Sequence, residues 1–256
     1  MTRLHRHLFG SAVSCALSAG APAFAQNPSS EPARPISYGV ELAFRSGHAD
    51  RGYLISDRSV IQPVIWVSGN GADFSVWGNV TLGETTEGAR PQILELELAR
   101  KYEWHNLSIG PAARMWFYHD PLSRYSSRSL EGWLYVSYDT GPFSLFTNHS
   151  LDVLEYQGAY FVDAGIESEG QLSERVEIGG SLGAGWASEP FNDSWFGVPQ
   201  SALNRAIAKG WLTAYLNSHL YIVPHFEYNK TLDPAVRAAH VRPTYLLVGL
   251  TLGGEF

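Results

Sequence analysis

Apolar and polar residues alternate along most of this chain, and the alternation recurs in one segment after another. In QILELELARKY, Leu94, Leu96 and Leu98 share one parity, while Glu95 and Glu97 share the other. Successive side chains of a β-strand point to opposite faces, so a period of two predicts a strand with one apolar and one polar face. The same period continues into the closing segment, LLVGLTLGGEF. The pattern therefore predicts an all-β chain.

The spacing of these segments predicts twelve strands. They cover residues 37–46, 55–67, 72–82, 92–102, 105–118, 129–138, 142–151, 156–167, 171–186, 210–217, 219–229 and 243–256. Short joins such as SGNG and DTGP, rich in Gly, Asn, Asp and Ser, alternate with joins that are mostly longer. Short turns on one rim and long loops on the other predict a transmembrane antiparallel up-and-down β-barrel over residues 36–256, with both termini periplasmic. Ten or fourteen strands are the alternatives.

A soluble β-sandwich would show the same alternation. Two features favour the barrel: many of the segments are longer than the five or six residues of a typical strand, and their polar faces carry many charges. No apolar stretch is long enough for a membrane-spanning helix. In lipid every backbone N–H and C=O needs an internal partner, which a closed barrel supplies.

Aromatic residues near the ends of the predicted strands are candidates for the girdles that membrane barrels carry at both interfaces. The alternative is that they are ordinary core aromatics. The candidates are Tyr53, Trp66, Trp104, Phe117, Tyr118, Tyr138, Trp186, Trp211, Tyr228 and Phe256.

The first 25 residues have the three parts of a secretory signal peptide. A basic start with Arg3 and Arg6 precedes an apolar run, and Ala23-Phe24-Ala25 forms a small-residue cleavage site. Cys15 is the one cysteine of the sequence and lies within this segment, so the mature chain has no disulfide. Residues 26–35 are rich in Pro and Ser and predict a short flexible linker. The prediction is export through a cleaved signal peptide to the cell outer membrane.

The charge balance limits the partners. The sequence has 18 Lys and Arg against 25 Asp and Glu. This acidic balance argues against nucleic acid as a partner. Outer-membrane lipid and small solutes are the partners that a barrel predicts.

Charged residues recur on the polar face, which lines the lumen of the predicted barrel. Acids outnumber bases there. Interstrand networks could fill a narrow barrel, or an open acid-lined lumen could favour cations; the sequence leaves both open. The pore-lining candidates are Glu41, Arg45, Asp73, Glu95, Glu97, Lys101, Arg114, Glu131, Asp163, Glu167, Arg175, Glu177 and Glu227, with Asp139 and Glu255 on the same face.

Candidate catalytic and metal-binding residues are few. Asn148, His149 and Ser150 are the residue types of an outer-membrane phospholipase, but neighbouring residues of a regular strand point to opposite faces, so His149 and Ser150 cannot easily share a proton. His225 and Glu227 share a face but lack a third ligand for a metal. The prediction is no catalytic residue, no metal, no cofactor and no enzyme activity.

The closing segment resembles the last strand of bacterial outer-membrane proteins. The resemblance implies that Leu250, Leu252 and Phe256 belong to the signal read by the barrel-assembly machinery. More narrowly, residues 44–80 resemble the opening of TorF-type porins. The shared motifs are Arg51-Gly52, Pro63 and Trp77-Gly78-Asn79.

After about residue 190 that likeness fades, and WFGVPQSALNRAIAKG is more similar to barrels of the MipA/OmpV type. Neither family implies a catalytic residue. The function expected is a porin for passive diffusion of small solutes, with cation preference. A non-conducting structural or envelope-interaction barrel is the alternative, and a barrel enzyme acting on lipid is the third hypothesis.

Overall fold

The computed structural model describes residues 36–256. The predicted signal peptide and the linker lie outside the described residues. The strands are β1 (Ser37–Arg45), β2 (His48–Asp50), β3 (Tyr53–Ser56), β4 (Val60–Gly69), β5 (Ala72–Thr81), β6 (Gln92–Arg100), β7 (Tyr102–Trp104), β8 (Leu107–Asp120), β9 (Tyr125–Asp139), β10 (Ser144–Asp152), β11 (Tyr160–Ser173), β12 (Val176–Ala187), β13 (Ala202–Tyr215), β14 (Leu220–Thr231) and β15 (Thr244–Glu255), and the helices are α1 (Glu189–Phe196) and α2 (Pro234–Ala239).

Twelve of these strands form one closed antiparallel barrel, as the sequence predicts. Each long strand pairs with its neighbours in the chain, and β6 pairs with β8 past the short β7. The barrel closes where β1 pairs with both β4 and β15; Leu42, for example, is opposite Pro63 on one side and Leu252 on the other. Closure leaves no unpaired strand edge, which is the condition for strands to cross lipid.

The burial pattern is the reverse of that in a soluble domain. Outward-facing Leu42, Ile65 and Leu250 are 49%, 62% and 43% exposed, whereas inward-facing Glu41 and Glu131 are 4% and 2% exposed. A soluble protein rarely buries such charges while exposing a continuous apolar surface. An apolar outer belt around a polar interior is the arrangement of an outer-membrane barrel.

The two rims differ in the length of their connections. One rim has short links at 70–71, 140–143, 174–175 and 216–219, with the β7 link at 101–106. The opposite rim, called here the loop side, has the connections 46–59, 82–91, 153–159, 188–201 and 232–243. The β8–β9 connection was predicted to be long, at 119–128, but both strands continue into it and leave a four-residue turn at 121–124.

The long connections contain structure that the sequence pattern did not predict. β2 and β3 form a hairpin between β1 and β4. The strand predicted at 210–217 starts earlier, because β13 begins at Ala202 and includes the alanine-rich stretch ALNRAIA. A helix precedes it, where Ser188 caps the N-terminus of α1 and Gly197, with φ 66°, ends it in the left-handed conformation.

None of the helices in residues 36–256 is long and apolar enough to cross a membrane.

Candidate functional site

The lumen is the candidate functional site, and ion pairs between strands two apart in the wall brace its middle. Arg45 on β1 bonds Glu227 on β14 at 3.3 Å. Arg205 on β13 bonds Asp163 on β11 in a bidentate pair, in which Nε and one terminal nitrogen each donate to a different carboxylate oxygen. Both pairs are almost fully buried. Inward charges can be buried here because each carboxylate has a guanidinium partner within hydrogen-bonding distance.

A second network lies on the opposite wall. Arg114 on β8 bonds Glu95 at 3.1 Å and Glu97 at 2.5 Å, both on β6. Its guanidinium also stacks on the ring of Trp133, 3.9 Å from the centroid. Trp133 in turn donates its indole N–H to Glu131 at 2.8 Å. These contacts fix three carboxylates and an aromatic ring on the inner surface of β6, β8 and β9.

Toward the short-turn rim, the inward side chains of the lumen are more exposed to solvent and more of them are acidic. Several inward carboxylates there accept hydrogen bonds from an aromatic hydroxyl or indole rather than from arginine: Glu167 from Tyr135 at 2.9 Å, and Glu177 from Tyr215 at 2.9 Å. Asp73, Glu97, Glu169 and Glu177 are partly or well exposed although their side chains face inward. We call Asp73, Glu167, Glu169 and Glu177 the acidic vestibule.

The loop side of the lumen is filled by the β2–β3 hairpin, residues 48–56, called here the plug hairpin. His48, Ala49, Asp50 and Arg51 are at most 6% exposed. Ala49 packs on Tyr245 and Leu247 of β15, and Arg51 reaches β9 and β10 on the far wall. The hairpin therefore crosses the lumen from one wall to another.

Polar contacts hold the base of the plug hairpin. Gln62 of β4 donates to the Nδ1 atom of His48 at 3.2 Å and to Asn79 of β5 at 3.0 Å. Burial, reinforced by Arg45, lowers the pKa of His48 to about 4, so this histidine is neutral at neutral pH. His240 donates from Nε2 to the carbonyl of Gly52 at 2.9 Å, and burial lowers its pKa as well.

Arg51 at the tip of the hairpin is held by carboxylates and aromatic rings. It bonds Asp50 at 2.7 Å and Glu131 at 2.9 Å. Phe191 and Trp195 of α1 present their ring faces to its guanidinium at 5.3 and 5.1 Å. Burial opposes ionisation of Asp50, but the adjacent Arg51, together with His48 and Arg114, outweighs it and holds the pKa of Asp50 below its usual range.

Most of the pore-lining candidates predicted from the sequence lie on the inner face of a strand, but a few do not. Arg175 is exposed in the two-residue turn between β11 and β12, and Lys101 lies in the link between β6 and β7. Of the predicted girdle aromatics, four are inside instead, and one of them is Tyr118, on the same face of β8 as Arg114 and Trp116. Tyr53 belongs to the plug hairpin, Trp66 is 5% exposed on the lumen side, and Trp211 donates to Glu169 at 3.2 Å.

The position of His149 agrees with the argument from strand parity. Its ring bonds the hydroxyls of Tyr160 and Thr147, at 2.6 and 3.1 Å. Ser150 is buried in the lumen and accepts from Arg51 at 3.3 Å. The two side chains are on opposite faces of β10 and share no hydrogen bond. Within residues 36–256 there is also no group of three or more His, Cys, Asp or Glu side chains placed to hold a metal ion.

Sequence reasoning missed the plug hairpin, Trp133 and α1 as parts of the site. The Arg51-Gly52 pair is the one signal that marked the hairpin, because a glycine between the short segments HAD and YLIS is compatible with a tight turn.

No family model matches the sequence, and no curated protein matches it. Solved structures match its fold. NanC porin is 11% identical with a TM-score of 0.50, over 86% of this chain and 98% of that one. KdgM porin is 11% identical with a TM-score of 0.47, over 86% and 98%. The toluene transporter TodX of Pseudomonas putida is 9% identical with a TM-score of 0.47, over 88% and 89%.

At such low identity the likeness concerns the fold alone. The TorF-type and MipA/OmpV-type resemblances have no support from these comparisons. A closed barrel with an apolar outer belt, similar in fold to porins, points to the outer membrane as its location.

Proposed function

We propose that this protein is an outer-membrane channel for passive diffusion of small solutes, with a preference for cations. The observation that carries the proposal is the acidic vestibule, where Asp73, Glu169 and Glu177 are at least partly exposed to water inside a closed barrel. A barrel serving only as a structural element would not need carboxylates exposed along its interior. Acidic groups lining a pore lower the energy of a cation relative to an anion.

The orientation and partners of the barrel belong to the same proposal. The short-turn rim, which also carries both ends of the described chain, faces the periplasm, and the loop side faces outward. Leu250, Leu252 and Phe256 serve the barrel-assembly machinery during insertion. We propose that the chain is related to the TorF-type porins, on the motifs at Arg51-Gly52, Pro63 and Trp77-Gly78-Asn79.

We propose no enzyme activity for this barrel. The separation of His149 from Ser150 by the β10 wall supports this, because a nucleophile and its base need to be within hydrogen-bonding reach.

Recording from planar bilayers tests the channel. Purified protein should give discrete current steps in KCl, and a KCl gradient should give a reversal potential of the sign expected for cations. Because the plug hairpin fills the loop side, we expect Arg51→Ala to enlarge the steps. An absence of steps in both proteins would refute the channel, and anion preference would refute the role of the vestibule.

A variant of the vestibule and a control variant test whether the acidic vestibule determines the ion selectivity. Replacing Glu169 and Glu177 with Gln should reduce the preference for cations, since both carboxylates line the short-turn mouth. The control is Glu189→Gln, which removes one charge from an exposed position on α1 outside the barrel wall. It should leave the reversal potential unchanged.

A further inference from the structure

The tip of the plug hairpin has an unusual residue in a constrained position. The turn joins Asp50 to Tyr53 through Arg51 and Gly52, whose φ angles are 47° and 93°. Two residues with positive φ fit the hairpin turn that favours Asn-Gly or Gly-Gly. Glycine adopts this conformation freely, whereas arginine does so with backbone strain. The contacts of the Arg51 side chain must therefore offset that strain.

Those contacts form a cage around a planar cation. Trp133, Phe191 and Trp195 have ring centroids 5.7, 5.3 and 5.1 Å from the central carbon of the guanidinium. These distances are within the range in which a cation is attracted by a ring face. Glu131 bonds one terminal nitrogen at 2.9 Å, and Ser150 bonds the other at 3.3 Å.

The wall of the cage is built independently of the hairpin. Both carboxylate oxygens of Glu131 are held by indole N–H groups, from Trp116 at 3.1 Å and from Trp133 at 2.8 Å. Phe191 packs on Phe161 and Trp195, with centroids 5.1 and 5.5 Å apart. Since none of these contacts involves Arg51, the carboxylate and the rings would keep their places if the hairpin moved away.

The loop-side approach to the cage is also aromatic. Tyr53 packs edge-on against Trp195 and Phe196, at 5.7 and 5.5 Å, and Tyr156 lies 6.1 Å from Trp195. All four rings are only partly buried. An approaching solute with a cationic, planar end would therefore meet ring faces before it reached Glu131.

We propose that Glu131, Ser150, Trp133, Phe191 and Trp195 form a binding site for guanidinium-bearing solutes, which the chain's own Arg51 occupies when the lumen is closed. A solute entering from the loop side takes the place of Arg51, and the plug hairpin leaves the lumen. A hydrated alkali cation makes no use of three ring faces, whereas a guanidinium both stacks on them and donates to a carboxylate in a fixed plane. The role in uptake rests on the proposed channel; the site itself does not.

Tryptophan fluorescence of the purified full-length barrel tests the site without relying on conduction. The probe is methylguanidinium chloride at millimolar concentration, with KCl at equal ionic strength as the reference. We expect a saturable change in Arg51→Ala, where the cage is vacated. In the wild type the tethered Arg51 competes for the cage at an effective concentration in the millimolar range. The probe should therefore bind the wild type about tenfold more weakly than it binds Arg51→Ala.

Two matched variants make the result specific. Arg58→Ala removes an arginine from the same connection, where it bonds the carbonyl of Glu84 outside the cage, and should behave as the wild type does. Adding Glu131→Gln to Arg51→Ala should abolish the saturable signal. A signal in Arg51→Ala no different from that in Arg58→Ala, or one unchanged by Glu131→Gln, would overturn the proposal.

Measurements of conductance distinguish failure of the proposed binding site from failure of the proposed channel. In Arg51→Ala, methylguanidinium added on the loop side should reduce the potassium current with the concentration dependence found by fluorescence. Binding without any current in either protein would leave the site in place and refute the channel. Current that methylguanidinium does not affect, with no fluorescence signal, would refute the site and leave the channel. If Arg51→Ala does not assemble, the wild type provides the test: a saturable fluorescence change must appear at higher methylguanidinium concentration, and its absence overturns the site.

Discussion

At the scale of single residues, the interior of this barrel depends on glycines that lie beneath aromatic rings. A Cβ atom on Gly179 would come within 2.4 Å of the Trp211 ring, and one on Gly253 within 2.2 Å of the Tyr221 ring. Each ring crosses above a glycine to reach a carboxylate: Trp211 bonds Glu169 at 3.2 Å, and Tyr221 bonds Glu41 at 2.6 Å. The glycines thus make room for the contacts that orient the lumen carboxylates.

Replacing Gly179 with alanine should therefore displace Trp211 and break its bond to Glu169. We expect a loss of about 1–3 kcal/mol in the free energy of unfolding, which is typical of overpacking. The measurement is the thermal midpoint of the purified barrel, followed by its mobility on gels. The matched control is Gly170→Ala on β11, where a Cβ atom would meet no atom within 4 Å. Equal midpoints for the two variants would contradict this account.

At the scale of elements, the period of two predicted the twelve strands because each wall strand separates a lipid face from a lumen face. The prediction failed where that period breaks. At the start of β13 a register shift opposite Gly185 and Trp186 leaves both Asn204 and Arg205 buried. The alternation of inward and outward residues is therefore lost there, and the sequence pattern of the alanine-rich stretch is more like that of a helix. The plug hairpin escaped prediction because its burial comes from contacts with distant strands.

The plug hairpin should release as the pH falls, because His48 must be neutral to fit its site. The pKa of His48 is about 4 in place and about 6.5 when exposed to water. The released state binds more protons between these values, so docking is fully stable above about pH 6.5 and weakens as the pH falls toward 4, by roughly 3 kcal/mol at most. Arg45, Asp50 and Glu227 are the charges facing it.

Hydrogen exchange of residues 48–56 measures this release. Exchange should become faster from pH 6.5 to 4 once the intrinsic pH dependence is removed. In His48→Gln, which stays neutral, the corrected rate should stay flat across the same range. His119→Gln, at an exposed position on the loop-side rim, is the control and should follow the wild type. A pH response that persists in His48→Gln would show that another group drives it.

At the scale of the whole molecule, closure of the barrel depends on one seam between β1 and β15. Seven residue pairs join the two strands, and the seam ends where the backbones of Tyr38 and Phe256 exchange hydrogen bonds of 2.9 and 3.1 Å. The Phe256 ring stacks on Tyr38 and His219, with centroids 5.9 and 5.6 Å apart. The closed barrel predicted from the sequence requires the last strand to pair with the first, but the stacking partners of Phe256 come from two other segments and could not be predicted.

Removing the Phe256 ring should hinder assembly more than it weakens the finished barrel. The ring is 54% exposed and the backbone bonds remain in Phe256→Ala, so we expect the thermal midpoint of purified protein to change little. The yield of barrel in outer-membrane fractions should fall, since Phe256 belongs to the proposed assembly signal and its stack on Tyr38 and His219 fixes the end of the seam. Leu246→Ala, on the same face of β15 and 59% exposed, should keep a normal yield. If both variants assemble equally well, the seam closes without help from the Phe256 ring, and the assembly role proposed for that residue is wrong.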